Sequence, residues 1–136
     1  MVAPVNIKGD NYTAKVSKHG ELLTGTFFSS AEKITLTSDN VAVTIVKPRA
    51  GQKMILTGLI VNTSRATGTD TLVQIFESAA ENSSVVSKAI LSFDMPKSTT
   101  IVTSSLLIQA TEGVYINAVS DDSDVNVTLL CYFVSA

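Results

Sequence analysis

The chain has 136 residues, which is enough for one domain with a hydrophobic core of its own. Its formal net charge is −2 and its basic residues are dispersed, so the sequence argues against a nucleic-acid-binding protein. No apolar run approaches the roughly 20 residues of a membrane-spanning helix, and no secretory signal opens the chain, so we expect synthesis in a cytoplasm and no membrane partner.

The composition favours a subunit of an assembly. Ser and Thr account for 32 residues, charged residues for 16%, and the mean hydropathy is +0.31. A surface of small hydroxyl and aliphatic side chains with few charges is typical of a protein whose exterior is covered by neighbours. The alternative is a β-rich protein with Thr on the outer faces of its strands. We favour the oligomer or assembly.

Residues 1–32 differ from the rest of the chain and are predicted to form an irregular N-terminal arm. Gly and polar residues interrupt every short apolar run in it, so we expect the arm to be loose or to lie along a partner. The adjacent Phe27 and Phe28 favour a partner. The candidate partner-binding residues of the arm are Tyr12, Val16, Leu22, Leu23, Phe27 and Phe28.

From residue 33 onward the chain alternates between short apolar runs and turn signals. Strands are predicted at 34–37, 41–46, 55–61, 71–77, 85–93, 98–108, 114–119 and 125–134. No helix is predicted. Strands of this number and spacing indicate an all-β domain at residues 33–136, an antiparallel β-sandwich resembling a jelly roll.

The best-defined stretch is a pair of strands, 41–46 and 55–61, joined by the turn at 47–51. Strict alternation predicts that Val41, Val43 and Ile45 share one face of the first strand. In the second strand it places Ile55, Thr57, Leu59 and Val61 on one face, and Leu56, Gly58 and Ile60 on the other.

The last strand is hydrophobic on both faces, so we expect it to lie centrally in a sheet or at a subunit interface. It contains Cys131, the only cysteine, which therefore has no partner for an intrachain disulfide. Its position on the face of Leu129 and Phe133 predicts a small buried core residue.

The sequence offers no set of residues for catalysis, a cofactor or a metal, so we do not expect an enzyme. His19 is the only histidine, and no G-x-S-x-G nucleophile elbow occurs. Asp121, Asp122 and Asp124 could supply oxygen ligands to calcium, but their spacing does not match an EF-hand and a run of this kind commonly makes a turn. Calcium binding there stays open.

Three segments, in this order, resemble small structural proteins of tailed-phage virions. The first is Lys15–Leu23, KVSKHGELL, similar to a V-S-x-x-G-E-L arm in that group. The second is the turn KPRAG at 47–51 leading into MILTGLIV at 54–61. The third is the final strand, which ends in LLCYF at 129–133.

The resemblance implies a β-sandwich with an N-terminal arm, often trimeric, and no catalytic residues. It implies a capsid decoration (cement) protein whose partners are itself, as a homotrimer, and the major capsid protein or other virion subunits. The protein would reside in the virion after assembly in the host cytoplasm. A tail or head–tail component and a receptor- or glycan-binding module, such as a head fibre or fibre tip, are the alternatives; a small β-sandwich enzyme is a further rival.

Overall fold

The computed structural model describes residues 7–8, 13–14, 30–64, 68, 70–86 and 88–136. Two short strands, β1 (Ile7–Lys8) and β2 (Thr13–Ala14), pair antiparallel with each other. The remainder of the predicted arm before residue 30 lies outside the described residues.

Nine further strands follow, and no helix occurs in the described part of the chain. They are β3 (Ser30–Leu36), β4 (Val43–Val46), β5 (Gln52–Thr63), β6 (Thr71–Ser78), β7 (Lys88–Met95), β8 (Thr100–Thr103), β9 (Ile108–Gln109), β10 (Tyr115–Ser120) and β11 (Val125–Ser135). The first sandwich strand thus begins at Ser30, inside the range predicted for the arm.

The strands form two antiparallel sheets. The five-stranded sheet has the order β3-β11-β5-β8, with β9 beside β8 on the same edge of β5, and the four-stranded sheet has the order β4-β10-β6-β7. The first strand of the sandwich therefore pairs with the last, β4 with β10, β5 with β8, and β6 with β7. This nested pairing is the arrangement of a jelly roll. The predicted all-β, antiparallel, jelly-roll-like sandwich is confirmed.

The core lies between the two sheets and consists of aliphatic side chains from the inner face of each. Its fully buried large members include Leu36, Leu56, Ile75, Met95, Ile116 and Leu129. Burying a side chain of this size contributes roughly 1.5–3 kcal/mol, so the inward positions of the strands account for most of the driving force for folding. Cys131 is fully buried in the same cluster, as predicted.

A β-bulge in β5 changes the predicted assignment of its faces. Leu130 pairs with Gly58 and Cys131 pairs with Leu56, so Thr57 is an extra residue without an opposite partner. An extra residue reverses the inside–outside alternation beyond it. Consequently Leu56 joins Leu59 and Val61 in the core. The prediction that put Leu56 on the opposite face was wrong because alternation alone does not reveal a bulge.

A second bulge lies in β4. Ile116 pairs with Val46 and Asn117 with Thr44, which leaves Ile45 as the extra residue. Val43, Ile45 and Val46 therefore all contact the core cluster. The predicted strand at 41–46 begins only at Val43.

Two other predicted strands have different bounds. The strand predicted at 85–93 begins and ends later, as β7, because residues 79–86 form a loop. The strand predicted at 98–108 is divided into β8 and β9, and between them the Leu106 N–H donates to the Thr57 carbonyl at the bulge of β5. The last strand, β11, lies between β3 and β5, in the interior of its sheet.

Candidate interaction surface

The six predicted partner-binding residues of the arm lie outside the described residues. They are Tyr12, Val16, Leu22, Leu23, Phe27 and Phe28, and their role stays a prediction.

The aspartate-rich turn after β10 is occupied with hydrogen bonds to β6. Asp121 Oδ1 accepts the Leu72 N–H at 2.8 Å, and Asp122 Oδ2 accepts the Thr71 hydroxyl at 2.9 Å. Asp124 has a φ of 64°, a left-handed conformation that several types of tight turn use. The described residues contain no group of three His, Cys, Asp or Glu side chains placed to hold a metal ion. The geometry is that of a turn tied to a neighbouring strand.

A buried carboxylate in β6 is the main electrostatic feature that sequence reasoning missed. Glu77 Oε1 accepts the backbone N–H of Thr111, and Oε2 accepts its hydroxyl, each at 2.8 Å. Lys88 Nζ lies 3.1 Å from Oε2 and donates to the Thr111 hydroxyl oxygen at 3.2 Å. The three side chains join β6, β7 and the loop before β10.

Each oxygen of this carboxylate has a partner, so Glu77 is a structural anchor. Burial, the largest single influence, acts to raise the pKa of Glu77, but hydrogen bonds from Thr111 and Lys88 outweigh it and lower the pKa below its ordinary value. A general acid needs the opposite shift, so that it keeps its proton near neutral pH. The one available signal in the sequence is a carboxylate within an otherwise uncharged strand.

The outer face of the four-stranded sheet is covered by the loop at 79–86. Asn117, fully buried in β10, donates from Nδ2 to the carbonyls of Ala80 (3.2 Å) and Ser83 (3.1 Å). Its Oδ1 accepts the Thr44 hydroxyl at 2.7 Å. Beneath the loop, Val86 packs on a small cluster of Ala42, Phe76 and Val119. The loop and this polar network close that side of the sandwich.

Among the described residues, two clefts lie at the end of the sandwich near the C-terminus. One, beside the cation–π pair of Arg49 and Phe133 (3.7 Å to the ring centroid), has a volume of about 10 Å³, the space of about one water molecule. The other has a volume of about 420 Å³ and no aromatic residue in its lining, which is Lys53, Gln109, Ala110, Thr111, Glu112 and Ala136.

The outer face of the five-stranded sheet begins with a polar row. Thr35, Asn126, Asn62 and Thr100 lie side by side across the four strands. Thr35 donates to Asn126 Oδ1, and Asn62 Nδ2 donates to the Thr100 hydroxyl oxygen, each at 2.7 Å. Two hydrogen bonds therefore link neighbouring strands along this row.

The next rows of this face are largely apolar. Thr128 lies between Lys33 and Ile60, and Ile60 pairs with Val102 at the edge. In the following row Leu130 lies between Ala31 and Gly58. We call Ala31, Ile60, Val102, Leu130 and Tyr132 the outer apolar face. The side chain of Val102 is 64% exposed, while Ile60, Leu130 and Tyr132 are half-buried. An apolar sheet face of this kind is the strongest candidate for a contact surface in the described residues.

Within the described part of the chain, no helix has the length and apolar character needed to cross a membrane. Comparisons of the chain with protein-family models, with curated proteins and with solved structures gave no significant match.

Proposed function

We propose that this protein is a structural protein of a tailed-phage virion, and specifically a capsid decoration protein. The observation that carries the proposal is a jelly roll that carries the outer apolar face on its five-stranded sheet, with Lys33 and Thr128 beside it as polar neighbours. The buried carboxylate of Glu77 anchors the loop before β10, and the larger of the two described clefts has no aromatic residue in its lining. The feature of the described residues that we assign to function is therefore surface on which other subunits can pack.

We infer that the protein functions by burying its surface against other copies and against the shell. Copies of the protein associate through faces of the sandwich, and the resemblance of the sequence to virion proteins implies three-fold symmetry for that assembly. The arm, with Phe27 and Phe28 as anchors, contacts the major capsid protein and links shell subunits to one another. Affinity comes from apolar area at roughly 25 cal/mol per Å², reduced by the cost of ordering the arm.

The experiment that tests this is binding to heads of the phage whose genome encodes the chain, with and without residues 2–25. We expect the full-length protein to cosediment with heads at a saturating stoichiometry, and the truncated protein to stay folded but fail to bind. A Phe27→Ser/Phe28→Ser variant tests the anchors within the full-length chain. If the truncated protein binds heads as well as the full-length protein does, the proposed role of the arm is wrong.

A tail or head–tail component shares the fold and the same surface argument, and it differs in the symmetry of the assembly. Native mass together with binding to heads or to tails separates the two proposals. A ring of five, six or more chains that joins tails and does not bind the head shell would favour the tail or head–tail role.

A further inference from the structure

The two sheets of the sandwich have four edges among the described residues. One sheet has β3 at one edge and β8 with β9 at the other, and the second sheet has β4 and β7 at its edges. An outer strand presents unpaired N–H and C=O groups, and folded proteins protect such an edge with charges, caps or a covering partner. The four edges of this protein differ in how they are protected.

The edge of β4 is capped by side chains from the loop at 79–86. Asn82 Oδ1 accepts the Thr44 N–H at 2.8 Å, and the Thr44 hydroxyl oxygen accepts the Asn82 N–H at 2.8 Å. Just before the strand, the Ser84 hydroxyl oxygen accepts the Ala42 N–H at 3.0 Å. The N–H groups of Ala42 and Thr44 are therefore already used within the chain.

Two other edges carry charges. β7 contains Lys88 and Asp94, and β3 contains Glu32 and Lys33. Charged side chains on an outer strand oppose pairing with another strand, because pairing would remove them from water or place like charges together.

Among the described residues, nothing gives the edge of β8 either form of protection. Residues 98–111, which include β8 and β9, contain no charged residue, and Val102 and Leu107 are 64% and 78% exposed. The Thr63 N–H donates to the Thr99 carbonyl, and Ile101 and Thr103 follow in register opposite β5. By the alternation of an antiparallel ladder, the N–H and C=O groups of Thr100 and Val102 point away from the sheet.

We propose that β8 pairs antiparallel with β8 of a second copy of this chain, about a two-fold axis at Val102. In this register Val102 lies opposite Val102, and Thr100 lies opposite Ser104. The outer apolar face of one copy, through Ile60 and Val102, then continues into that of the other. All of these cross-strand pairs are aliphatic or hydroxyl pairs, which stabilise a sheet.

The chemistry favours a second copy over a different protein. A two-fold contact requires a surface that complements itself, so each residue near the axis meets itself or a close neighbour in the sequence. An uncharged Thr-Ile-Val-Thr strand meets that requirement without like-charge repulsion, which the charged strands β3 and β7 do not. The same edge offers no charge by which an acidic or basic partner could be selected.

The inference goes beyond the proposed function, because it holds for any role of the protein. A two-fold contact gives an even number of chains. It produces a dimer alone, and it produces a hexamer where three-fold symmetry of the kind implied by the resemblance is also present.

Cysteine cross-linking tests the pairing directly in the full chain. Opposed residues in a hydrogen-bonded antiparallel pair have Cα atoms about 5.5 Å apart, within the range of a disulfide. We expect Val102→Cys to form a covalent dimer nearly completely on mild oxidation. The matched control is Val85→Cys, whose position is 72% exposed but lies in the loop at 79–86. The natural Cys131 is fully buried. A Val102→Cys protein that cross-links no faster than Val85→Cys would overturn the inference.

Native mass by light scattering gives a second readout. We expect an even multiple of the 14.4 kDa chain mass for the full chain, halved by Val102→Lys and unchanged by Val85→Lys. A monomer at every concentration overturns the inference. An odd number of chains, such as a trimer, overturns the two-fold pairing and leaves the proposed function standing. Should Val102→Lys fail to fold, the cross-linking result decides.

Discussion

A Cβ atom at Gly58 would lie 2.9 Å from Cδ1 of Leu130 and 3.0 Å from the carbonyl oxygen of Thr103. Gly58 sits in β5 between its two neighbours, β11 and β8, next to the bulge at Thr57. The Leu130 side chain occupies the space that a larger residue would need. The close approach of three strands at this point explains a glycine inside an otherwise β-branched and aliphatic strand.

We expect Gly58→Ala to destabilise the protein by about 1–3 kcal/mol, the usual cost of overpacking. Where the new methyl group of a Gly→Ala change meets no neighbouring atom, the change stabilises a protein by about 0.4–1 kcal/mol. The sign of the measured effect therefore shows whether the Cβ position at Gly58 is crowded. Urea unfolding measures it. Adding Leu130→Ala should recover part of the loss, since it removes one of the two close contacts. A stabilised Gly58→Ala variant would contradict the packing described here.

At Thr103 we predict a substitution that increases stability. Its Oγ1 is buried and has no hydrogen-bond partner among the described residues. Because an unpaired buried polar group costs about 1–3 kcal/mol, we expect Thr103→Val to raise the free energy of unfolding by about 1 kcal/mol. The matched control is Thr57→Val, because the Thr57 hydroxyl donates to the Leu130 carbonyl at 3.0 Å. That control should lose stability, by about 0.5–1.5 kcal/mol.

The anchor at Glu77 predicts a pH-dependent contribution to stability. The pKa of Glu77 is lowered in the folded protein, so its contribution is present above the unfolded-state pKa of about 4.3 and is lost as the pH falls through the lower folded-state pKa. We expect Glu77→Gln to be less stable than the natural protein at pH 7, and the difference to shrink as the pH falls from 5 to 3. Urea unfolding across this range measures it. A difference that stays constant down to pH 3 would contradict the assignment.

The Asn117 network predicts coupling between stability and the loop at 79–86. Asn117→Ala leaves the carbonyls of Ala80 and Ser83 without their donor, so we expect a loss of about 2–3 kcal/mol and faster amide exchange across the loop. Asn126→Ala is the control, because the exposed hydrogen bond from Thr35 should contribute less than about 0.5 kcal/mol. Unchanged exchange in the loop would show that Asn117 does not hold it.

Periodicity in the sequence predicted the fold class and most of the strands, because an apolar residue at every second position is required wherever one face of a sheet is buried. It could not predict the bulges at Thr57 and Ile45, since each bulge depends on how two strands align rather than on either strand alone. One extra residue then moves Leu56 to the opposite face from the one that alternation gives.

Local sequence patterns could not predict the anchoring contacts of Glu77 and Asn117, for a similar reason. Glu77 and Thr111 lie 34 positions apart, and nothing near either residue in the sequence marks them as partners. Asn117 likewise resembles an ordinary polar residue on the exposed side of a strand, and only the loop folded over it makes it buried. The outer apolar face also emerges only from the sheet order, which brings Ile60, Val102 and Leu130 together.

The native mass of the purified protein, measured by light scattering with and without residues 2–25, shows whether the sandwich holds an oligomer together. We expect the full-length protein to be a defined oligomer and the truncated protein to keep the same number of chains, because the sandwich holds the oligomer together and the arm is left for the shell. A monomer in both forms would contradict the central claim that this domain functions by burying its sheet faces, and it would favour a glycan-binding module instead.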